Sequence, residues 1–297
     1  MTLSPADDLR HRPEPGGRMR DSLFWQVVLP HEELAVQLYL TVTGSGRAGY
    51  QASVWGGRPL AVERGSGRLD DGDDFADLRL DGLTVQHGEP LRSATVALRG
   101  GQVELDLAFE GLHDAFSYHE NPDGLPAWFA TDRMEQTGRV AGVLRFGSRE
   151  VRLDGLGHRD HSWGLRDWRL PQHWKWFVAS TGSGRAVNGW IWVARGEWGF
   201  AGYVLRDGRP VPVSTIDSRA TYGEALEQRS LVAVLHDVEG GATRVELDVF
   251  GVLELPDGRS RTVVMEGACR ARIDGEAGSG QFEAEWPAEY LEQFRTR

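Results

Sequence analysis

Short runs of alternating apolar and polar residues, each ended by a glycine turn, restrict this chain to a β-sheet protein. The pattern is plain in LAVQLYLTV (34–42), ATVALRGGQVELDLAF (94–109), RVAGVLRF (139–146), NGWIWVARG (188–196) and TRVELDVFGVLEL (243–255). A strand turns successive side chains to opposite faces, so period two suits a sheet and does not lay an apolar stripe along a helix. Val, Leu and aromatic residues favour such strands, and the Gly, Asp-Gly and Gly-Gly pairs between them favour tight reversals. Helical periodicity is confined to PAEYLEQFRTR at the end of the sequence. Turn signals recurring every roughly 8–12 residues fit an antiparallel barrel or sandwich.

Four landmarks recur in the same order. TGSGRA stands at 43–48 and 181–186; GY followed by GRP at 49–59 and 202–210; VELDL at 103–107 against VELDV at 245–249; ME at 134–135 and at 265–266. Preserved order predicts an internal duplication. With 297 residues the chain has room for two domains of ordinary size. The expected division is an N-terminal arm over 1–20, a first β domain over 21–149 and a second over 150–297. The arm, MTLSPADDLRHRPEPGGRMR, carries acids, prolines and arginines and no apolar core, which reads as disorder rather than a signal peptide. A cytoplasmic location is the corresponding expectation.

Composition removes several classes of function. The net charge of −11 is spread through interspersed acids and arginines, leaving no basic stripe for nucleic acid. No apolar run approaches the roughly 20 residues of a spanning helix. Cys269 is the single cysteine, so neither an internal disulfide nor a multi-cysteine metal site is expected. Lys175 is the single lysine, which excludes a Walker A loop, and no Gly-x-Ser-x-Gly elbow or dinucleotide fingerprint is present. No cofactor is expected. The acidic run DDGDDFAD (70–77) lacks the terminal glutamate of a calcium loop and reads as a solvated turn.

Chemistry concentrates in GLGHRDHSWGLRDW (155–168), near the junction of the two halves. Of the 11 tryptophans, seven lie between Trp163 and Trp198: Trp163, Trp168, Trp174, Trp176, Trp190, Trp192 and Trp198. Alternation puts Trp174 and Trp176 on one face of a strand and Trp190 and Trp192 on one face of the next. Such faces either fill a barrel or line a ligand cavity inside one. Arg159, Asp160, Arg166 and Asp167 have an equally good structural reading as buried ion pairs at a domain interface. His113, Asp114, His119 and Glu120 fall in GLHDAFSYHENPDG, whose Pro and Gly predict a rim loop. The histidines of HRDH, with His173 nearby, show no metal-ligand spacing, and no metal is expected.

RMEQTGRV (133–140), GLGHRDHSWGLRDW and the two successive all-β halves resemble the double-lipocalin, or double-calycin, superfamily. That superfamily includes hydroxyneurosporene synthase (carotenoid hydratase), kievitone-hydratase-like proteins and decalin-forming cyclases of the Diels-Alderase type. The resemblance covers about residues 20–290 and implies two tandem lipocalin-like antiparallel barrels. It further implies a hydratase, dehydratase or cyclase acting on a lipophilic isoprenoid- or polyketide-like molecule.

Adding water to an isoprenoid double bond needs an acid that protonates carbon, a dry pocket for the cation and a group that positions water. Asp160 is the expected acid if burial beside Trp163 raises its pKa, and pairing with Arg159 or Arg166 would lower it instead. Glu135, aligned by the duplication with Glu266, is the alternative acid, and His161 is placed to position water or take the last proton. Trp163, Trp168, Trp174, Trp176, Trp190 and Trp192, with Arg166, form the expected substrate wall, since ring faces stabilise cations. The same residues suit a carrier that binds a lipophilic ligand without transforming it.

Overall fold

In a computed structural model, which describes residues 3–13, 19–257 and 261–295, the chain forms two antiparallel sheets. The first contains β1 (Arg20–Leu29), β2 (Leu34–Thr43), β3 (Arg47–Trp55), β4 (Pro59–Arg68), β5 (Asp77–Leu80), β6 (Leu83–His87), β7 (Ser93–Arg99), β8 (Val103–Gly111), β9 (Phe116–Ser117), β10 (Asp132–Phe146) and β11 (Arg149–Gly164). The second contains β12 (Pro171–Thr181), β13 (Ala186–Ala194), β14 (Glu197–Arg206), β15 (Arg209–Tyr222), β16 (Gln228–Asp237), β17 (Ala242–Asp257), β18 (Thr262–Ile273) and β19 (Glu276–Pro287), followed by α1 (Ala288–Arg295). No helix among the described residues is long and apolar enough to cross a membrane.

Strands β12 to β19 close into a barrel. In the first sheet β1 bridges β2 and β11, and the order runs from β4 at one edge to β5 at the other. Side chains span that gap. Tyr50 Oη donates to Asp81 O at 2.5 Å, and Glu63 Oε2 accepts from Gln102 N at 2.7 Å. Each barrel is filled by one face of its strands. Leu23, Trp25 and Val27 of β1 point inward with Leu38 and Leu40 of β2, as Phe177 and Ala179 of β12 do with Val187 and Ile191 of β13. The interiors are therefore packed cores, and a ligand space lies elsewhere.

Connectivity makes the two barrels equivalent. In each, the first strand pairs with both the second and the last, so β1, β2, β3 and β4 match β12 to β15 and β7, β8, β10 and β11 match β16 to β19. Hairpin β5–β6 and the short β9 are additions to the first barrel. GY and GRP fall at equivalent places on β3–β4 and β14–β15, VELDL and VELDV on β8 and β17, and the two ME pairs on β10 and β18. TGSGRA does not fit: it forms the β2–β3 turn in one barrel and the β12–β13 turn in the other, one strand out of step. A glycine-serine turn recurs because it satisfies any tight reversal, whatever its place in the fold.

Two expectations about organisation change. The division at 149–150 falls inside the β10–β11 hairpin, whose strands are paired from Asp132↔Trp163 to Phe146↔Arg149. The sheet changes instead between Gly164 and Pro171, so the whole histidine-rich stretch through Gly164 belongs to the first barrel. Residues 3–13, expected as part of a disordered arm, carry a 3-10 turn over Pro5–Asp8 and plug one end of the first barrel. Asp8 is buried there, accepts from Leu91 N at 2.7 Å and lies 3.2 Å from Nη1 of the buried Arg159. The acidic run contributes main-chain carbonyls: Arg10 Nη1 donates to Asp70 O at 2.7 Å and Arg12 Nη2 to Asp73 O at 2.9 Å. A buried guanidinium at the barrel end needs an anion, and this segment supplies it.

Among the described residues Asp8 is the one carboxylate within 4.0 Å of Arg159. Replacing it strands a buried charge, and Asp8→Ala is expected to cost about 3–5 kcal/mol in urea unfolding. The double variant Asp8→Ala/Arg159→Met is expected to recover a large part of that loss. Equal stability of Asp8→Ala and the wild type would show that the segment does not anchor the barrel.

Candidate functional site

The outer faces of the two barrels meet along equivalent rows. In the first, backbone register aligns Glu135 with Asp160, Phe24, Tyr39, Gln51 and Arg64 across β10, β11, β1, β2, β3 and β4. In the second, it aligns Glu266 with Glu283, Trp176 and Trp190 across β18, β19, β12 and β13. Alternation turns these side chains out of both barrels and toward each other. Phe24 meets Trp176 edge to face at 6.2 Å, and Trp176 Nε1 donates to Glu135 Oε1 at 3.1 Å. Between the rows lies a cavity of about 350 Å³ lined by Asp160, Glu266 and Glu283, by Phe24, Trp174 and Trp176, and by several arginines.

The segment between β8 and β10 completes the contact by crossing to the second barrel. Tyr118 Oη donates to Asn188 Oδ1 at 2.9 Å, and Asn121 Nδ2 donates to Gly202 O at 2.7 Å. Gly202 sits at φ +131°, and a Cβ there would lie 2.1 Å from Asn188 O, so the close approach of β13 and β14 under this segment requires glycine. His113, read as a rim residue, is buried instead, with Nε2 3.1 Å from Tyr203 Oη. Trp190 and Trp192 pack with Trp128, Phe129 and Tyr118 in the same aromatic layer and do not line the cavity. Trp174, Trp176, Trp190 and Trp192 thus coat the outside of the second barrel rather than filling or lining its interior.

The two carboxyl pairs are equivalent in position and opposite in electrostatics. Glu135 receives His158 Nε2 at 2.6 Å and Arg133 Nε at 2.5 Å, while Arg133 Nη2 donates to Asp160 Oδ2 at 2.9 Å. Burial works against ionisation of Glu135, but Arg133 and His158 outweigh it and hold its pKa below the usual range. In the second pair Gln281 takes the place of His158 and donates to Glu266 Oε2 at 2.5 Å; Val264 takes the place of Arg133. Among the described residues no guanidinium bridges Glu266 and Glu283, although Arg133 across the cavity works to lower the Glu283 pKa. Burial, with Glu283 beside it, pushes Glu266 well up, and burial brings Glu283 to about 7 although Trp174 Nε1 donates to its Oε1. Glu266 and Glu283 stand opposite each other in the β18–β19 register, and two carboxyls so placed favour a state in which one keeps its proton.

Asp160 lies between these extremes. Burial raises its pKa and Arg133 opposes the rise. Its Oδ2 is fixed by Arg133, while Oδ1 is buried with no protein partner on the cavity side. Among the residues singled out from sequence, Asp160, Arg166, Trp168, Trp174 and Trp176 line this space together. Glu135 sits just behind its wall, joined to Trp176 and Arg133.

His161 and Trp163 do not belong to the cavity. Odd positions of β11 face into the first barrel, so His161 lies on the opposite side of the strand from Asp160 and donates to Asp21 Oδ1 at 2.6 Å. There it joins His11, which stacks on Trp163 at 3.8 Å and donates its main-chain N–H to Asp21 Oδ2 at 2.7 Å. His11, Asp21 and His161 bring possible ligand atoms within 4.8 Å of one another and fasten the N-terminal segment, while Nδ1 of His11 and of His161 are buried without a hydrogen-bond partner. The histidine on the cavity side is His158. Glu266 and Glu283 as a pair escaped the reading of the sequence. The repeated ME and the alternation in QFEAEWP (281–287) placed each on a face, but only hairpin register sets them opposite each other.

A larger cleft of about 1030 Å³ opens elsewhere, beside the β12–β13 turn, and is lined largely by small residues and turn backbone such as Ala94, Ala141, Gly155 and Gly182. It contains none of the paired carboxyls or cavity tryptophans. Convergent acids with shifted pKa values against an aromatic wall make the smaller space the candidate site.

Two filled antiparallel barrels in tandem give the chain a double-calycin-like fold. The chain belongs to the family of the domain of unknown function DUF7064, whose sequence profile spans residues 4–288. The fold is shared with NE1406 of Nitrosomonas europaea, assigned to AttH, at TM-score 0.67 and 12% identity over 93% of this chain and 94% of that one. It is shared with CghA at TM-score 0.62 and 14% identity over 91% and 88% of the two chains. Kievitone hydratase from Nectria haematococca matches at TM-score 0.60 and 10% identity over 95% and 92%. A search of curated proteins finds no sequence match.

Glu285, two residues beyond Glu283, is fully buried with neither carboxyl oxygen partnered. Burial and the nearby Glu283 push its pKa from the ordinary 4.5 to about 8. Between these values the folded chain holds a proton that the unfolded chain releases, so this contribution to stability is fullest below about pH 4.5 and is lost as pH rises through 8. Glu285→Gln removes the linkage. Its stability relative to wild type is expected to rise with pH, reaching a gain of about 1–3 kcal/mol near pH 9 in paired unfolding titrations. A constant difference from about pH 5 to 9 would exclude the buried proton.

Proposed function

We propose that this protein is a cofactor-independent hydratase, dehydratase or cyclase that acts on a lipophilic isoprenoid- or polyketide-like molecule by acid catalysis. The observation that carries the reading is the Glu266–Glu283 pair, two carboxyls set opposite each other with raised pKa values in a cavity walled by aromatic rings. A carboxylic acid near neutrality in a dry site is a stronger proton donor to carbon than one held ionised by a guanidinium. The hydratase and cyclase chemistry implied by the resemblance, and named for one of the structural neighbours, needs such a group.

The acid role passes to Glu283, backed by Glu266, and Asp160 becomes the base. In the hydration direction the Glu283 proton forms a new C–H bond on the alkene, leaving a tertiary cation against Trp168, Trp174 and Trp176. Water adds its oxygen to that cation as Asp160 Oδ1 accepts the released proton, and proton exchange with solvent restores both carboxyls. Asp160 is fixed for this by Arg133, and its raised pKa makes it the better base. Dehydration reverses these steps. In cyclisation a second double bond replaces water as the nucleophile and loses a proton to the same oxygen. Glu135, held ionised behind Trp176, offsets the cation without taking its proton.

The protein purified from a lipid-containing host extract offers a direct test by native mass spectrometry. Wild type and Glu283→Gln are expected to retain bound molecules that differ by one water or by an isomerisation. The same unchanged molecule on both proteins would favour a carrier. With the substrate so identified, Glu283→Gln and Asp160→Asn are each expected to lower turnover about 10²-fold or more. The wild-type rate is expected to fall as pH rises through about 7, where Glu283 loses its proton. An alkaline limb that survives unchanged in Glu283→Gln would remove Glu283 from the acid role.

A further inference from the structure

The cavity between the barrels has a charged mouth that acid catalysis does not use. Arg20, Tyr39, Gln51 and Arg64 line both the inner cavity and an outer groove of about 480 Å³ open to solvent. They therefore mark the way in. Arg166 stands beside them on the inner wall. The three guanidiniums are gathered in a protein whose net charge is −11.

Asp160 acts on Arg166 from across the cavity, but none of the three guanidiniums is in an ion pair with a described residue. Among the described residues no carboxylate oxygen lies within 4.0 Å of Arg20, Arg64 or Arg166, while most other arginines of the chain have such a partner. Arg166 donates to neutral oxygens only: Nη1 to Tyr39 Oη at 3.3 Å, and Nη2 to Ser22 Oγ at 3.1 Å and to Ser162 Oγ. Arg64 Nε donates to Gln51 Oε1 at 2.9 Å. The Nε groups of Arg20 and Arg166 are buried without any acceptor. Glu254 also lines the cavity, but its Oε2 is taken by Arg295 Nη2 at 2.5 Å.

Arg20 and Arg166 both lie against the Trp168 ring at 5.7 Å, and Arg20 lies 5.3 Å from that of Tyr39. Burial opposes ionisation of Tyr39, yet the two guanidiniums draw its pKa below the ordinary value, a sign of the positive field at this end. Paired guanidiniums desolvated without a carboxylate are costly, and a planar fork of N–H donors is suited to an oxyanion. The opposite end of the cavity has aromatic rings and neutral acids.

We propose that the ligand is an anionic amphiphile, with a carboxylate or similarly acidic oxygen head held by Arg20, Arg166 and Arg64 at the mouth and an apolar body laid on Phe24, Trp174 and Trp176. This rests on the acid-catalysis reading only for which end of the molecule reacts. The head fixes the depth of insertion, so the double bond that meets Glu283 is chosen by its distance from the charge. A neutral isoprenoid of the same length leaves two buried N–H donors unpaired and binds more weakly.

Dodecanoate, methyl dodecanoate and dodecan-1-ol separate the charge from the chain, with binding read by quenching of tryptophan fluorescence near pH 7.5. Dodecanoate is expected to bind at least about tenfold more tightly than the ester or the alcohol. Arg20→Gln and Arg166→Gln are each expected to bring the ratio toward one, while Glu283→Gln leaves it in place. Equal binding of the three probes by the wild type, a preference unchanged in both arginine variants, or no binding of dodecanoate up to its solubility would each overturn the proposal. Failure of acid catalysis shows separately, as absence of the protonated Glu283 carboxyl from the infrared spectrum, and leaves the dodecanoate ratio intact.

Discussion

Burying carboxyl groups between two apolar barrel faces is the constraint around which this molecule is arranged. Of four carboxyls in equivalent registers, Glu135, Asp160 and Glu266 are buried when the outer faces meet, and Glu283 is half-buried beside them. One pair is offset by Arg133, and His158 hydrogen-bonds to Glu135. The other has Val264 and Gln281 in those places and must keep a proton instead. A duplicated barrel supplied two copies of one arrangement, and exchanging Arg133 and His158 for Val264 and Gln281 gives the two pairs different electrostatics.

The remaining architecture supports that division. Both barrel interiors are closed by aliphatic packing, leaving the interface as the place where side chains of both halves meet a common space. The aromatic layer of Tyr118, Phe129, Trp174, Trp176 and Trp190 excludes water there, which strengthens every charge interaction inside it. Asn121 and Tyr118 tie the long β8–β10 connection across the second barrel, so the two carboxyl rows are held in register by hydrogen bonds far from either. Arg159 plays a parallel part on the other face of β11, where Asp8 of the N-terminal segment compensates it.

Much of the fold was legible because alternation is a direct consequence of strand geometry. It located most of the strands, paired Trp174 with Trp176 and Trp190 with Trp192, and set the barrels in tandem. The same alternation separates Asp160 from His161, so the assignment of His161 to the site conflicted with information already present in HRDH. The boundary at 149–150 failed because β11 closes the first barrel by pairing with β1, some 140 residues earlier in the chain. A sequence segment carries no mark of so distant a partner. The N-terminal segment misled for a related reason: its charges look solvated until Arg159, 151 residues away, is found to need one of them.

What the sequence determined by itself is the local part: strand, turn, the two faces of each strand, and the concentration of acids and tryptophans near the junction. Which face looks into a barrel and which meets the other barrel was decided only by tertiary structure, since β1 and β13 are buried on both sides and show no polar face to tell them apart. Proton placement was decided there too. Glu266 and Glu283 are 17 positions apart in sequence and become one titrating unit through the β18–β19 register, and the absence of a guanidinium beside them is a property of the assembled interface. Periodicity is written residue by residue, whereas desolvation depends on everything that closes around a group.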